Sequence, residues 1–435
     1  MKRPLFTSLL LLLGLASALA AEKPNILFIM ADDLGWKDVG YNGSEIRTPH
    51  IDKLAKGGLI LDQHYVTPMC SSTRACLLSG RYSTRFGLDS ATNDLVFPMG
   101  MTTLAGALQE AGYVTGLTGK WHLGSKPEWG PHHFGFDQSY GAFAGGVDQY
   151  LHLYKKGPYQ KTWHRNMEHI QEEGHATDLF TREAIRWIEQ DREGKPFYIQ
   201  VAYTAVHIPI QEPEEWVSQY EGQFEHDYQR HYAACATHMD HCIGEMVEAL
   251  KRTGQLENTL IIFTSDNGGS KSWEPRGLYP ADDYLPMPTL GDNTPLRGFK
   301  GQVYEGGVRV PAFVSWPGKL PARSEDQPIH IVDWMPTLCA LTGAKEPENA
   351  QFDGQNIWSH LIDASTKPED RQFYFKRGSG LALRQGDWKL VVSGKKEELF
   401  NLAEDPNETT DLAQQQPEKV ATLRKLLEAE RKLDS

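Results

Sequence analysis

Three long apolar runs recur along the chain, and each ends in polar residues capable of chemistry. PNILFIMADD closes on Asp32 and Asp33, KPFYIQVAYTAVHIP ends at His207, and NTLIIFTSDNGG closes on Asp266 and Asn267. A half-exposed strand would alternate apolar and polar positions. An unbroken run predicts a strand buried on both faces, as in a parallel sheet. Between the runs, TDLFTREAIRWIEQ and the stretch from Asp227 to Arg252 space their apolar residues at helical intervals, with Gly254 as the stop. Strands alternating with helices predict an α/β fold, a mostly parallel central sheet flanked by helices. Ligands of such sheets sit beyond the carboxyl ends of the strands, where all three polar tips fall.

From about Arg371 the pattern changes. RQFYFKRG, GLALRQGDWKLVV and EELFNL are short and broken by Gly and turn residues, which predicts an antiparallel meander. EKVATLRKLLEAERKL then reads as an amphipathic helix. The chain divides into a large domain over residues 21–350 and a smaller C-terminal subdomain over 365–435, with the boundary between 345 and 370.

The opening MKRPLFTSLLLLLGLASALA places Lys2 and Arg3 before an apolar run that ends in Ala18-Leu19-Ala20. The run is short for a membrane span, and the ending is a small-x-small cleavage pattern, so residues 1–20 are expected to be a signal peptide. The protein is then exported, to a periplasm, the medium or a lysosome-like compartment, with no membrane partner after the leader is removed. Net charge is −13, two units more negative once Lys2 and Arg3 leave, which excludes a nucleic-acid binder. An anionic substrate would need positive charge gathered locally against that field. The five cysteines are too few for a disulfide scaffold. Cys70 and Cys76 could be half-cystines, whereas Cys235 and Cys242 share a helix face at a spacing too long to bridge.

Asp32-Asp33 and Asp266-Asn267 together offer three carboxylates and an amide, an oxygen set suited to a hard ion such as Ca²⁺ or Mg²⁺. Either pair alone would be an ordinary turn; two pairs at two strand ends are not. Cations accompany them: Arg74, Lys120 and His122 in TGKWHLG, Lys300 in LRGFKG, and His207 in AVHIP. Glycines flanking the two lysines permit close backbone approach to a ligand.

The stretch CSSTRACLLSGR, residues 70–81, resembles the sulfatase signature, Cys-x-Pro-Ser-Arg followed after several residues by Thr-Gly-Arg. ADDLGWKDVGYNG, TGKWHLG, AVHIP, HMDHCIGEMVEAL, FTSDNGG, PLRGFKGQVYEGGVRVPAFVSWPG and GDWKLV resemble further sulfatase blocks in sulfatase order, covering most of residues 22–400. GKWHLG and PLRGFKGQVYEGGVRVP are most similar to the arylsulfatase B-like group. The resemblance implies an alkaline-phosphatase-like fold and a sulfuric ester hydrolase acting on a sulfated sugar or polysaccharide, such as a galactose or N-acetylgalactosamine sulfate. Two rival readings share the scaffold: a phosphatase or phosphodiesterase, and an inactive glycan-binding relative.

By the same resemblance, Cys70 is oxidised by a separate maturation enzyme to Cα-formylglycine. A serine nucleophile would end as a stable sulfate ester. A hydrated aldehyde carries two hydroxyls on one carbon, so one can take the sulfo group and the other can expel sulfate. Asp32, Asp33, Asp266, Asn267 and modified Cys70 are expected to bind Ca²⁺. Arg74 would hold the formylglycine region, and Lys120 and Lys300 would clamp the sulfate. His122 would take the proton from the second hydroxyl, His207 with Lys300 would protonate the leaving group, and Asp148 in GGVDQY would touch substrate. Ser72 stands where Pro is usual and Thr73 where Ser is usual. Thr keeps the hydroxyl, while the missing Pro bears on recognition by the maturation enzyme. The strand-tip position of Asp266 predicts that Asp266→Ala removes turnover and spares the fold.

Overall fold

The computed structural model describes residues 23–271, 278–280, 291–348, 350–366 and 369–435. The expected leader lies outside these residues; among the described ones, no helix is long and apolar enough to cross a membrane.

Ten strands form one sheet in the order Arg323–Glu325, Leu59–Leu61, Ala312–Ser315, Thr259–Ser265, Asn25–Ala31, Phe197–Ala202, Val114–Lys120, Gln138–Ala142, Trp163–Arg165, Glu168–His169. The five strands from Thr259–Ser265 to Gln138–Ala142 are mutually parallel, and antiparallel pairings begin on either side of them. The Asn25–Ala31 strand shows why the apolar runs are unbroken. Ile26, Phe28 and Met30 enter one hydrophobic cluster, and Leu27, Ile29 and Ala31 enter another on the opposite face. Both faces of the sheet are core, so both sets of alternating side chains are apolar.

Helices Ala176–Glu189 and Asp227–Arg252 lie as expected, and Gly254 after the second has φ +68. The helix Cys70–Ser79 is buried along its whole length. It starts at Cys70, after Met69 in extended conformation, and ends where Gly80 turns left-handed at φ 65, so the signature residues occupy its first turn.

The expected C-terminal meander is a separate four-stranded sheet, Gln372–Arg377, Gly380–Gln385, Trp388–Ser393 and Lys396–Asn401, each antiparallel to the next. Phe373 and Phe375 pack toward Tyr65 and Val308 of the large body. Tyr374, Leu383 and Leu399 face the core that includes Val420, Leu423 and Leu427 of the terminal helix Pro417–Arg431. A buried cation joins the two bodies: Lys389 Nζ lies 2.8 Å from Glu305 and 2.9 Å from Glu408.

Candidate active site

Strand ends carry most of the site. Asp32 and Asp33 follow the Asn25–Ala31 strand, Asp266 and Asn267 follow Thr259–Ser265, and Lys120 ends Val114–Lys120 with His122 two residues on. The Phe197–Ala202 strand stops short of its apolar run, and the segment after it continues through Tyr203 to His207. The helix that begins at Cys70 brings in Cys70 and Arg74.

These groups interlock. Arg74 Nη2 donates to Asp266 Oδ2 at 2.7 Å and Nη1 to the Lys120 carbonyl at 2.7 Å. Lys120 Nζ lies 2.6 Å from Asp32 Oδ2, and Lys300 Nζ lies 2.6 Å from Asp33 Oδ1. Asn267 Nδ2 donates to Asp33 Oδ1 at 2.7 Å. Cys70 Sγ is 3.4 Å from His122 Nδ1. His207 Nε2 stands 4.0 Å from Asp33 Oδ2, and its Nδ1 is 2.6 Å from the Ile208 carbonyl, so Nδ1 carries the proton. The Thr73 hydroxyl accepts the Thr67 N–H at 3.0 Å and pins the turn before Cys70, which gives the retained hydroxyl a structural task.

The donor set fits a hard cation. Among the described residues, Asp32 Oδ1 and Asn267 Oδ1 are buried with no hydrogen-bond partner, and ligand atoms of Asp32, Cys70 and Asp266 lie within 4.8 Å of one another. Burial and the neighbouring Asp266 charge push the Asp32 carboxyl up to about 7, against the pull of Lys120. Such a carboxylate gains from a cation at its free oxygen. Asp33 differs: burial opposes its charge, but Lys300 and His207 hold it below the ordinary range. Burial, with Lys120 and Arg74 nearby, holds His122 well below its ordinary value, so its imidazole is neutral. Burial and Lys300 do the same to His207. For Lys300, Asp33 outweighs burial and raises the ammonium pKa.

Comparison with known proteins decides the family: residues 24–344 match the description Sulfatase. The chain belongs to the sulfatase family. It is 31% identical over 464 residues to arylsulfatase J of Mus musculus, covering 92% of this chain and 75% of that one. It is 29% identical over 391 residues to N-acetylgalactosamine-6-sulfatase of Homo sapiens, covering 85% and 71%. The crystal structure of Ps i-CgsB in complex with k-i-k-neocarrahexaose is similar at TM-score 0.85 and 32% identity, covering 95% of this chain and 94% of that one. The expected alkaline-phosphatase-like architecture and sulfatase activity therefore hold, and the chain is a hydrolase of sulfate esters.

In this sulfatase a cavity of about 530 Å³ opens over Cys70, His122, His207, Lys300 and Asp33. Lys120, Arg74 and Asp266 sit behind it, fully buried. Asp148 does not line it. Its Oδ1 accepts the N–H groups of Tyr150 at 3.0 Å and Leu151 at 2.7 Å, closing a turn, while its Oδ2 is buried without a partner among the described residues. All five cysteines are free, so Cys70 and Cys76 are not half-cystines.

Sequence reading missed the far wall: Thr92, Asn93, Tyr154, Lys155 and Tyr159. These lie on irregular segments with no motif to mark them. Gly145 is also part of the site, because a Cβ there would lie 2.3 Å from His122 Nε2. Gly145→Ala is expected to push the His122 ring off its position and lower kcat on the order of 10²-fold, the usual cost of a misplacement of about 1 Å. Steady-state kinetics with a circular-dichroism melt would check that the loss is in turnover and not in folding.

Proposed function

We propose that this sulfatase cleaves a sulfate ester from a sulfated sugar of the galactose or N-acetylgalactosamine type, using Ca²⁺ and Cys70 after its oxidation to formylglycine. The observation that carries this reading is the convergence on Cys70: a neutral imidazole at 3.4 Å, and the Asp32 and Asp266 carboxylates with ligand atoms within 4.8 Å of Sγ, Asp32 Oδ1 being without a partner among the described residues. The name of the human relative and the neocarrahexaose bound to Ps i-CgsB support a sugar substrate.

Ca²⁺, held by Asp32, Asp33, Asp266, Asn267 and converted residue 70, would acidify an adjacent hydroxyl and offset charge on a sulfate oxygen. The remaining work belongs to the chain's own side chains. Arg74 is the fixed countercharge of Asp266 and holds the signature helix to the metal ligands. Lys300, paired with Asp33 on the cavity wall, presents its ammonium group where sulfate charge develops, and Lys120, buried behind the cavity on Asp32, adds its positive field to the sulfate clamp from below. His122, neutral and next to residue 70, accepts the proton whose removal expels sulfate. Lys300 and His207 face the leaving oxygen from the other side.

His207→Ala is expected to cost on the order of 10²-fold more on a sulfated sugar than on an activated aryl sulfate, whose phenolate leaves without a proton. The pH dependence has a definite sign. Because burial and Lys300 depress the His207 pKa, its acid form is lost as pH rises through that low value, and the sugar rate falls with it. Equal losses on both substrates would make His207 a sulfate-positioning residue instead.

Conversion of Cys70 requires a maturation enzyme as a transient partner, one that reads the segment before it folds. Ser72 is the third residue of the helix, where the N–H has no intrahelical partner, and its buried Oγ makes no hydrogen bond among the described residues. Ser72→Pro is therefore expected to fold normally and to keep or raise the formylglycine fraction, measured by mass spectrometry of the Cys70 peptide. The functional reading is tested by sulfate release from a panel of defined sulfated oligosaccharides alongside matched phosphate esters. Preference for phosphate over every sulfate would favour a phosphatase, and no turnover by fully converted protein would favour a glycan binder.

A further inference from the structure

A second cluster of metal-competent side chains lies outside the lining of the catalytic cavity. His175 precedes the helix Ala176–Glu189 as its N-cap, His238 sits in the middle of Asp227–Arg252, and Glu212 follows His207 by five residues. The His175 and His238 rings are 4.9 Å apart. His175 Nε2 is 3.6 Å from Glu212 Oε1, and His238 Nδ1 is 2.7 Å from Glu212 Oε2. One ligand atom from each of the three lies within 4.8 Å of the other two, and all three residues are buried.

Two facing atoms in this cluster are unsatisfied. Among the described residues, His175 Nε2 and Glu212 Oε1 have no hydrogen-bond partner, in residues that are 3% and 9% exposed. Buried polar atoms in native proteins nearly always find a partner, and a facing pair that does not calls for an explanation. Charge points the same way. With a proton on His238, its two carboxylate neighbours, the buried Glu212 and the exposed Asp178, leave one negative charge in excess, part of it screened by solvent at Asp178.

We infer that His175 Nε2, His238 Nδ1 and Glu212 bind a divalent transition ion of the Zn²⁺ type, which imidazole and carboxylate ligands suit. The dication replaces the His238 proton, which leaves to solvent, and balances the two carboxylates. The His175 proton moves to Nδ1, at the expense of the long 3.3 Å bond that this nitrogen accepts from Thr177. Asp178 Oδ1, 2.8 Å from His238 Nε2, is the carboxylate that orients a metal-bound imidazole through its other nitrogen. Trp216 stacks on the His238 ring at 4.9 Å and closes one side. Cys235 lies one helical turn before His238 on the same helix, buried, and water is left to complete the coordination. The ion ties two helices to the segment that carries His207, which makes it a structural clip on one wall of the catalytic site.

The test is Zn²⁺ uptake by the full-length protein after chelation, read by elemental mass spectrometry and melting temperature with Ca²⁺ kept in excess. Wild type is expected to take up about one Zn²⁺ per chain, with Tm rising by about 5 °C at large excess. The Asp266→Asn variant should behave alike, because its altered site is the catalytic one, so this result is independent of the sulfatase mechanism. His238→Gln and His175→Phe should lose both responses. Co²⁺ bound to wild type should show the visible band of a four-coordinate nitrogen-ligated ion, which decides the matter if the variants do not fold. Absence of Zn²⁺ uptake and of that band in wild type, or uptake lost in Asp266→Asn and kept in His238→Gln, would overturn the inference.

Discussion

Cys70→Ala is expected to lower sulfate release on the order of 10⁵-fold, the scale of losing a nucleophile that no neighbour replaces, while the protein folds. Cys70 is the first residue of a buried helix, and alanine is the best helix former. Among the described residues its thiol makes one hydrogen-bond contact, the 3.4 Å approach to His122, so truncation leaves few buried groups without a partner. Cys70→Ser should be equally inactive in turnover, since a serine sulfate has no second hydroxyl on its carbon to expel the sulfate. Comparing sulfate release with the thermal melt separates loss of chemistry from loss of fold. A Cys70→Ala enzyme that turned over at wild-type rate would remove residue 70 from the mechanism.

The second large effect is at Asp266, where the structure changes the expectation drawn from sequence. A strand-tip carboxylate looked dispensable for folding. Asp266 instead accepts from Arg74 at 2.7 Å, with the two side chains 0% and 1% exposed. Removing one partner of a buried ion pair leaves the other charge uncompensated, at about 3–5 kcal/mol. Asp266→Ala is therefore expected to lose both turnover and stability. Asp266→Asn keeps the shape and an oxygen for Arg74 while removing the charge. It should lose on the order of 10³-fold in kcat, the upper range for deleting one preorganised electrostatic group, with a smaller fall in melting temperature and reduced Ca²⁺ content. Full activity without bound Ca²⁺ would remove the metal assignment.

The parallel core was legible because burial on both faces leaves an unambiguous mark, as in Asn25–Ala31. Val114–Lys120 was not read as a strand because Gly116 and Gly119 interrupt it. Both are packing requirements: a Cβ at Gly116 would lie 2.7 Å from Trp187, and one at Gly119, at φ +108, would lie 1.9 Å from the Ala202 carbonyl. The strand tips announced the charged site residues, since carboxylates after an apolar run have no packing reason to be there. Asp148 shows the opposite case: an acidic residue after two glycines looks the same whether it faces a ligand or caps a turn, and here its Oδ1 caps a turn away from the cavity lining. The interlocking of Arg74, Lys120 and Lys300 with three carboxylates joins residues up to 267 positions apart in sequence, and no local pattern carries it.

The most direct test is the chemical state of residue 70 in active enzyme. Mass spectrometry of the tryptic peptide spanning residues 57–74, in preparations made with and without a formylglycine-generating enzyme, should find the aldehyde or its hydrate. Sulfate release from a sulfated oligosaccharide should rise in proportion to the converted fraction. Full sulfate release from protein whose Cys70 is a thiol throughout would contradict the account.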